Sequence, residues 1–285
     1  MKYLSNIHGP ASRLVPEVGA AVFAGEVIRL PGAGRTLTAA VADRLADCFA
    51  TSVDRLERVH EMYDPVSLYE RIIRARAAVS ADRAVLKIAG DLLRPFDVSA
   101  GDLYLDAVRL RVVAHNAFTI PAAAPAYYIH RDTWYANPAC QWNWWIPVTD
   151  TPPERGFEIY PQCFARPVKN DSKLFDLNAW EAAGGFQAVV GTSADQRPHP
   201  GLDSGVTRES LGAALPIAGA AGDVLIFSGH HLHGTVANAT GLTRFSLELR
   251  TVHGADLHNG RGPREVDNQS RGSTFTTMFR IRDLD

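Results

Sequence analysis

The hydrophobic pattern changes period about a third of the way along the chain. Apolar residues recur at helical spacing over residues 36–49, on a segment that begins near Pro65, and over residues 83–93. These segments predict three packing helices, with Thr36 as the cap of the first. After them the period becomes two, and the alternation of apolar residues with arginines over 108–112 indicates a strand.

Further short runs of β-forming residues follow, most of them bounded by Pro, Gly, Asn or Asp. The runs cover residues 127–133, 140–148, 156–160, 223–228, 231–236, 244–252 and 274–281. Because no helical pattern separates most of them, they favour an antiparallel sandwich or barrel over a parallel α/β sheet.

No linker or internal repeat divides the chain, so we predict a single domain over residues 1–285. Residues 1–106 would be mostly helical support, and residues 107–252 a β core that contains an insertion at 165–221. Residues 253–285 would form a polar loop plus a C-terminal strand. Loops this long are usually functional or disordered, so the two polar stretches are either lids over a site or surface loops.

The charge and cysteine content narrow the classes of partner. With 29 basic against 31 acidic side chains, the net charge of −2 leaves no footprint for nucleic acid or an anionic membrane. No apolar run approaches the length of a membrane helix, and Cys48, Cys140 and Cys163 form no CxxC pair. We therefore expect a reduced, cytoplasmic protein that acts on a small molecule. Oligomeric state carries no signal in the sequence.

The segment around His130 and Asp132 is the first with candidate chemistry. On a strand, residues two apart point to the same face, so these side chains would aim a nitrogen and an oxygen at one point. That arrangement suits two ligands of a divalent metal. A His-x-Asp pair also arises readily by chance, so it needs a third partner.

A glycine-led apolar strand supplies that partner, because it runs directly into a histidine cluster of His230, His231 and His233. One of these would complete the two-His-one-carboxylate set of non-heme iron oxygenases, which leaves coordination positions open for an oxo acid and O2. We favour His233, because Arg244 follows it by eleven residues on the next strand. A tight turn would place Arg244 beside His233, ready to bind a carboxylate. A shift of register by two would make His231 the ligand instead.

The order and spacing of these residues resemble the phytanoyl-CoA dioxygenase-like (PhyH) branch of the Fe(II)/2-oxoglutarate-dependent oxygenases. The matching pieces are His130-Arg-Asp132, Trp145-Ile-Pro-Val-Thr-Asp150, Glu154-Arg-Gly156, Ile159-Tyr-Pro161, and Gly222-Asp-Val-Leu with His233-Gly-Thr and Arg244. The resemblance covers roughly residues 107–252. It implies a mainly β fold with flanking helices, around a double-stranded β-helix (jelly-roll, cupin-like) core. The chain departs from the family at Pro161-Gln-Cys-Phe164, where relatives commonly read Pro-Gly-Ser-His.

The resemblance also implies roles for individual residues. The Fe(II) ligands would be His130, Asp132 and His233. The site for 2-oxoglutarate would comprise Arg244, Thr235, Asn116 and Trp145. By their place just after Asp132, Trp134 and Tyr135 would line the mouth for the substrate. With O2 as the other co-substrate, such an oxidoreductase hydroxylates or otherwise oxidises a C–H bond and releases succinate and CO2.

Two features bear on the reaction and the substrate. Relatives that halogenate have a small residue at the position of Asp132, so a carboxylate there favours hydroxylation or a related oxidation. The long polar insertions favour a polar specialised metabolite, as in natural product biosynthesis. A zinc-dependent hydrolase with the same ligands is an alternative, although it would need a general-base carboxylate and has no use for Arg244. A non-catalytic jelly-roll binding protein is another.

Overall fold

The structure is a computed structural model that describes residues 4–6, 15–97, 101–185 and 197–284. Its helices are α1 Val15–Phe23, α2 Arg35–Phe49, α3 Val59–Met62, α4 Pro65–Ala81, α5 Arg83–Leu93, α6 Leu177–Ala182 and α7 Gly254–His258. The three helices predicted from the apolar period are confirmed as α2, α4 and α5. No helix of the described residues is long and apolar enough to cross a membrane.

Helices α4 and α5 begin at side-chain caps, whereas α2 begins without the cap that the sequence predicts. The carboxylates of Asp64 and Asp82 cap α4 and α5 by accepting hydrogen bonds from backbone N–H groups in the first turn. Thr36 does not cap α2. The helix begins at Arg35, and the preceding Gly34 donates its N–H to the carbonyl of Gly222, 2.8 Å away. A tertiary contact to the strand region therefore replaces the expected side-chain cap.

The strands form two sheets. They are β1 Leu4–Asn6, β2 Val27–Leu30, β3 Leu103–Leu105, β4 Arg109–Val113, β5 Trp142–Pro147, β6 Phe157–Ile159, β7 Leu215–Ile217, β8 Val224–Ser228, β9 His233–Thr235, β10 Arg244–His253 and β11 Phe279–Arg280. The large sheet has the order β1-β2-β8-β5-β10-β3-β11, with β4 also paired to β10, and the small sheet has the order β7-β6-β9. All pairs are antiparallel except β1 with β2.

The fold combines helices with antiparallel sheet and is more helical than the predicted mainly β fold, since 43% of the described residues are helical, 3₁₀ turns included, and 20% lie in strands. Part of the difference comes from two segments that were expected to be strands. Residues 127–133 make only a single bridge, at His130, before a 3₁₀ turn over Asp132–Tyr135. Near the C terminus, Thr274–Thr277 is also a 3₁₀ turn, so the C-terminal strand shrinks to β11.

The large sheet separates the N-terminal helices α1 to α5 from a cavity that lies between the two sheets. Strand β5 shows this clearly, because Trp142 and Trp144 pack in the helix-facing core, and Phe96 lies 4.8 Å from Trp144 between ring centroids. The alternate residue Trp145 points the other way and packs against Phe157 of the small sheet. Side chains on that inner face of β5 and β10 are therefore available to a site.

Candidate metal centre

His130, Asp132 and His233 come together between the sheets, as the spacing predicts. One possible ligand atom from each lies within 4.8 Å of the others, and this is the one such group of His, Cys, Asp or Glu in the described parts of the chain. The backbones of His130 and His233 exchange two N–H···O=C hydrogen bonds of 2.9 Å. This bridge brings their rings to a centroid distance of 4.6 Å.

Both imidazoles are oriented by the backbone. The Nδ1 of His130 lies 2.9 Å from the carbonyl of Tyr128, and the Nδ1 of His233 lies 2.9 Å from the carbonyl of His231. Because a carbonyl only accepts, each Nδ1 carries the hydrogen and each Nε2 keeps its lone pair for a metal. Burial, followed by the nearby His130, lowers the pKa of His233 to about 4, so this ring is neutral at pH 7.

The Asp132 carboxylate is held on both oxygens. Asn143 donates its side-chain amide to Oδ2, and the guanidinium of Arg250 lies 3.3 Å from Oδ1. Burial by itself would raise the pKa of Asp132, but the charge of Arg250, together with the neighbouring His130 and His233, moves it well below the usual range. The group is an anion that can contribute an oxygen ligand.

The neighbouring His231 is outside the cluster. Its ring is buried, with Nδ1 3.2 Å from the carbonyl of Ser228 and Nε2 3.2 Å from the carbonyl of Gly25. Burial lowers its pKa to about 3, so the ring is neutral and packed against backbone. The geometry therefore favours His233 over His231 as the ligand.

Three of the four residues predicted to bind 2-oxoglutarate line the same cavity as the cluster: Thr235, Trp145 and Arg244. Arg244 reaches the cavity by a route that differs from the prediction. Strands β9 and β10 belong to different sheets, so no tight turn returns the chain beside His233. Instead the chain crosses between sheets, and Asn238 anchors the crossing by donating to the carbonyls of Val113 and Leu242.

Arg244 is buried without a carboxylate partner among the described residues. Its side chain donates to the backbone carbonyls of Arg155 and Gly156, and its Nε has no hydrogen-bond partner. Burial, followed by the charge of Arg111, lowers its pKa to about 10. A buried cation without a matching anion is costly, so this guanidinium is prepared for an anionic ligand.

Two predicted site residues lie elsewhere. Asn116 is exposed at the turn after β4, where its amide contacts the ring of His115, and it is not part of the cavity lining. Trp134 has no exposed surface, and its indole N–H donates to Asp267 over 2.8 Å. It is therefore a core residue and not part of a substrate mouth. Tyr135 remains near the cluster, with its ring 5.4 Å from that of His130.

Other residues of the cavity were missed by the sequence reasoning. They are Arg111, Asn143, Glu248 and Arg250. Their signal was present in the sequence, because Arg244, Ser246, Glu248 and Arg250 alternate with apolar residues along β10. Polar side chains on the inner face of a central strand indicate a site rather than solvent.

The polar stretch after β10 contains Asp267, which forms hydrogen bonds with the segment that carries His130 and Asp132. Asp267 accepts hydrogen bonds from Arg131 Nε at 3.1 Å, from Trp134 and, at 2.9 Å, from the backbone of Val168. Arg131 is fully buried and also donates to three backbone carbonyls, those of His230, Cys163 and Arg166. The residue between the two predicted ligands is thus an anchor for this loop.

Comparisons with known proteins add little to this geometry. No family model and no curated protein sequence matches the chain. Among solved structures, the non-heme α-ketoglutarate-dependent epimerase SnoN from nogalamycin biosynthesis is 14% identical, with a TM-score of 0.45 over 94% of this chain and 99% of its own. EvdO2 from Micromonospora carbonacea var. aurantiaca is 14% identical, with a TM-score of 0.37 over 64% of this chain and 62% of its own. AviO1 from Streptomyces viridochromogenes Tue57 is 15% identical, with a TM-score of 0.34 over 67% of this chain and 64% of its own. TM-scores below 0.5 carry no weight for fold or function, so the site must be judged on its own residues.

Proposed function

We propose that this protein is an Fe(II)- and 2-oxoglutarate-dependent oxygenase of the phytanoyl-CoA dioxygenase-like type. It would hydroxylate or otherwise oxidise a C–H bond of a polar small molecule, as in natural product biosynthesis, and release succinate and CO2. In this proposal the two sheets are the halves of a double-stranded β-helix. One observation carries the proposal: Arg244, a buried cation that pairs with no carboxylate in the described parts of the chain, lines the same cavity as the three-ligand cluster.

The residues fit the two groups that the proposal requires. The Nε2 atoms of His130 and His233 and the carboxylate of Asp132 would hold the metal. Arg244 would bind the distal carboxylate of 2-oxoglutarate, with the hydroxyl of Thr235 beside it in the cavity lining. Ferrous iron with 2-oxoglutarate would supply the oxidising chemistry, in which O2 is reduced and the oxo acid is decarboxylated.

The remaining lining residues would exclude water and position the substrate. Trp145, Phe157 and Phe227 form an apolar wall next to the cluster. Outside that lining, the buried phenol hydroxyl of Tyr127 has no hydrogen-bond partner among the described residues, and the charges of Arg244 and Arg111 act on it. An apolar wall with a few directed polar groups is typical of a small-molecule site.

The zinc hydrolase alternative is weaker because the cavity offers no free general base. Apart from Asp132, the acidic residue of the described lining is Glu248, which accepts from Arg111 at 2.9 and 3.3 Å. Burial would raise the pKa of Glu248, but Arg111 outweighs burial and lowers it to about 2. A carboxylate held in this way is a poor proton acceptor.

An anaerobic titration with Fe(II) and 2-oxoglutarate tests the proposal. Chelation of ferrous iron by the oxo acid gives a weak visible charge-transfer band at about 500 nm. We expect the band in the wild type, its loss in His233→Ala, and a need for much more 2-oxoglutarate in Arg244→Met. Arg208→Met is the matched control, since Arg208 is a surface arginine paired with Glu158.

Two results would contradict the proposal. Metal-loaded wild type without a band would favour the zinc hydrolase or the binding protein. A band whose dependence on 2-oxoglutarate is the same in Arg244→Met and Arg208→Met would remove Arg244 from the site. Release of succinate with a panel of polar metabolites would then identify the substrate class in a protein that passes both tests.

A further inference from the structure

Arg250 contacts an oxygen of Asp132 that a bound metal would need as a ligand. Its guanidinium lies 3.3 Å from Asp132 Oδ1, and this oxygen is also 3.6 Å from Nε2 of His130, one of the expected ligand atoms. The other oxygen of Asp132 accepts from Asn143. Both side chains of the ion pair are largely buried, at 13% exposure for Arg250 and 4% for Asp132. Both oxygens of the Asp132 carboxylate therefore have a donor within the protein.

Arg250 is the arginine of the described cavity lining that contacts a predicted metal ligand. Arg111 is held by Glu248, and Arg244 is held by two backbone carbonyls. Arg250 also approaches Asp106, at 3.9 Å, but that carboxylate is already paired with Arg109 at 2.6 Å. Arg250 can therefore leave Asp132 without stranding a second acidic group.

We infer that Arg250 links metal binding to co-substrate binding, an inference that rests on the proposed function. A guanidinium on Asp132 Oδ1 competes with a divalent cation for that oxygen, and its positive charge opposes the cation. When a metal takes the oxygen, Arg250 is left facing the cavity beside the ligand set. There it stabilises the carboxylate of 2-oxoglutarate that chelates the metal. The same residue thus weakens binding of the metal alone and strengthens binding of the oxo acid.

The test measures two dissociation constants without turnover. Mn(II) is titrated into the metal-free protein, and 2-oxoglutarate is then titrated into the Mn(II)-saturated protein, both by calorimetry. We expect Arg250→Met to bind Mn(II) about tenfold more tightly and 2-oxoglutarate about tenfold more weakly than the wild type. Arg250→Gln, which keeps a neutral donor, should shift both constants in the same directions as Arg250→Met.

Arg208→Met is the matched control, because Arg208 is a surface arginine paired with Glu158 and lies outside the cavity lining. It should leave both constants within about twofold. Circular dichroism and thermal unfolding of each variant establish that it is folded, and Arg250→Gln carries the test if Arg250→Met does not fold.

Opposite shifts of the two constants are the decisive result, because a residue that only supports the fold would weaken both. If both affinities fall together, or neither changes, the inference is overturned. The proposed function fails in a different way, through a wild type that binds Mn(II) but no 2-oxoglutarate. In that case tighter Mn(II) binding by both Arg250 variants would still support the competition, and unchanged Mn(II) binding would reject it.

Discussion

The two segments that supply most of the polar groups of the cavity are held in different ways. Residues 130–135 are irregular and depend on partners far along the chain, among them Asn143 for Asp132 and Asp267 for Arg131. Strand β10 instead lies in a ladder between β4 and β5, and each side chain faces in or out by alternation. The first segment is therefore positioned by side chains, and the second by backbone pairing.

This difference predicts where the site is vulnerable. A substitution on β10 changes one side chain and leaves the ladder intact, so its effect should stay local. A substitution among the anchors of residues 130–135 should move the ligands themselves. The bridge between His130 and His233 connects the irregular segment to β9, so it is the point at which the two kinds of support meet.

Removing the anchor of the irregular segment should have the largest effect. Asp267→Ala leaves the fully buried Arg131 without its carboxylate, and breaking such a buried pair costs about 3–5 kcal/mol of unfolding free energy. Urea unfolding followed by circular dichroism measures this. Asp283→Ala, at an exposed ion pair near the C terminus, is the control and should change stability by less than about 0.5 kcal/mol. Equal losses in the two variants would contradict the anchoring role.

The second-largest expected effect distinguishes the contributions of His233 and His231 to metal binding. His233→Ala removes a ligand atom and should weaken Mn(II) binding by more than about 100-fold, beyond the loss typical of an outer partner. His231→Ala leaves the carbonyl that orients His233 in place, so it should weaken Mn(II) binding by less than about 10-fold. Calorimetry on both variants decides the assignment. A larger loss in His231→Ala would restore the alternative ligand.

The sequence could predict the parts of the fold that depend on local features, and it could not predict the parts that depend on contacts between distant residues. Helices α4 and α5 were predictable because their apolar faces and aspartate caps are local features. The three cluster residues were predictable because a metal needs a small set of ligand types. The irregular path of residues 127–135 was not, since its contacts reach across more than 130 positions, as from Arg131 to Asp267.

The same reason explains the individual misses. Trp134 looked like a mouth residue from its distance to Asp132, but the 3₁₀ turn rotates it into the core beneath the loop that carries Asp267. Asn116 was placed by its strand, yet its backbone has the left-handed φ of 57° that turns the chain away from the cavity. Arg250 was missed because alternation gives the facing of a residue but not its partner.

The third effect depends on pH. Burial lowers the pKa of His231 to about 3, below the value near 6.5 that the unfolded chain has. Below pH 6.5 the unfolded chain binds a proton that the folded protein does not, so stability falls as the pH falls. Between pH 6.5 and 5 this histidine should account for about 1–2 kcal/mol of lost stability.

The measurement is urea unfolding of the metal-free protein at several pH values within that window. His231→Gln removes one titrating group and should reduce the slope, while His233, whose pKa is lowered to about 4, keeps contributing. The comparison stops at pH 5, because buried carboxylates such as Glu248, whose pKa is lowered to about 2, begin to contribute below it. A slope that His231→Gln leaves unchanged would show that folding does not lower the pKa of His231.

The smallest effect distinguishes the two aromatic residues after Asp132. Trp134→Phe loses the hydrogen bond to the charged Asp267 and should cost about 1–2 kcal/mol of stability. Tyr135→Phe loses only a long contact, 3.4 Å from its hydroxyl to the carbonyl of Pro200, and should cost less than about 0.5 kcal/mol. Urea unfolding compares them. If Tyr135→Phe proves the more costly, the half-buried ring of Tyr135 near His130 is part of the framework of the site. The mouth for the substrate must then be sought near Tyr127 instead.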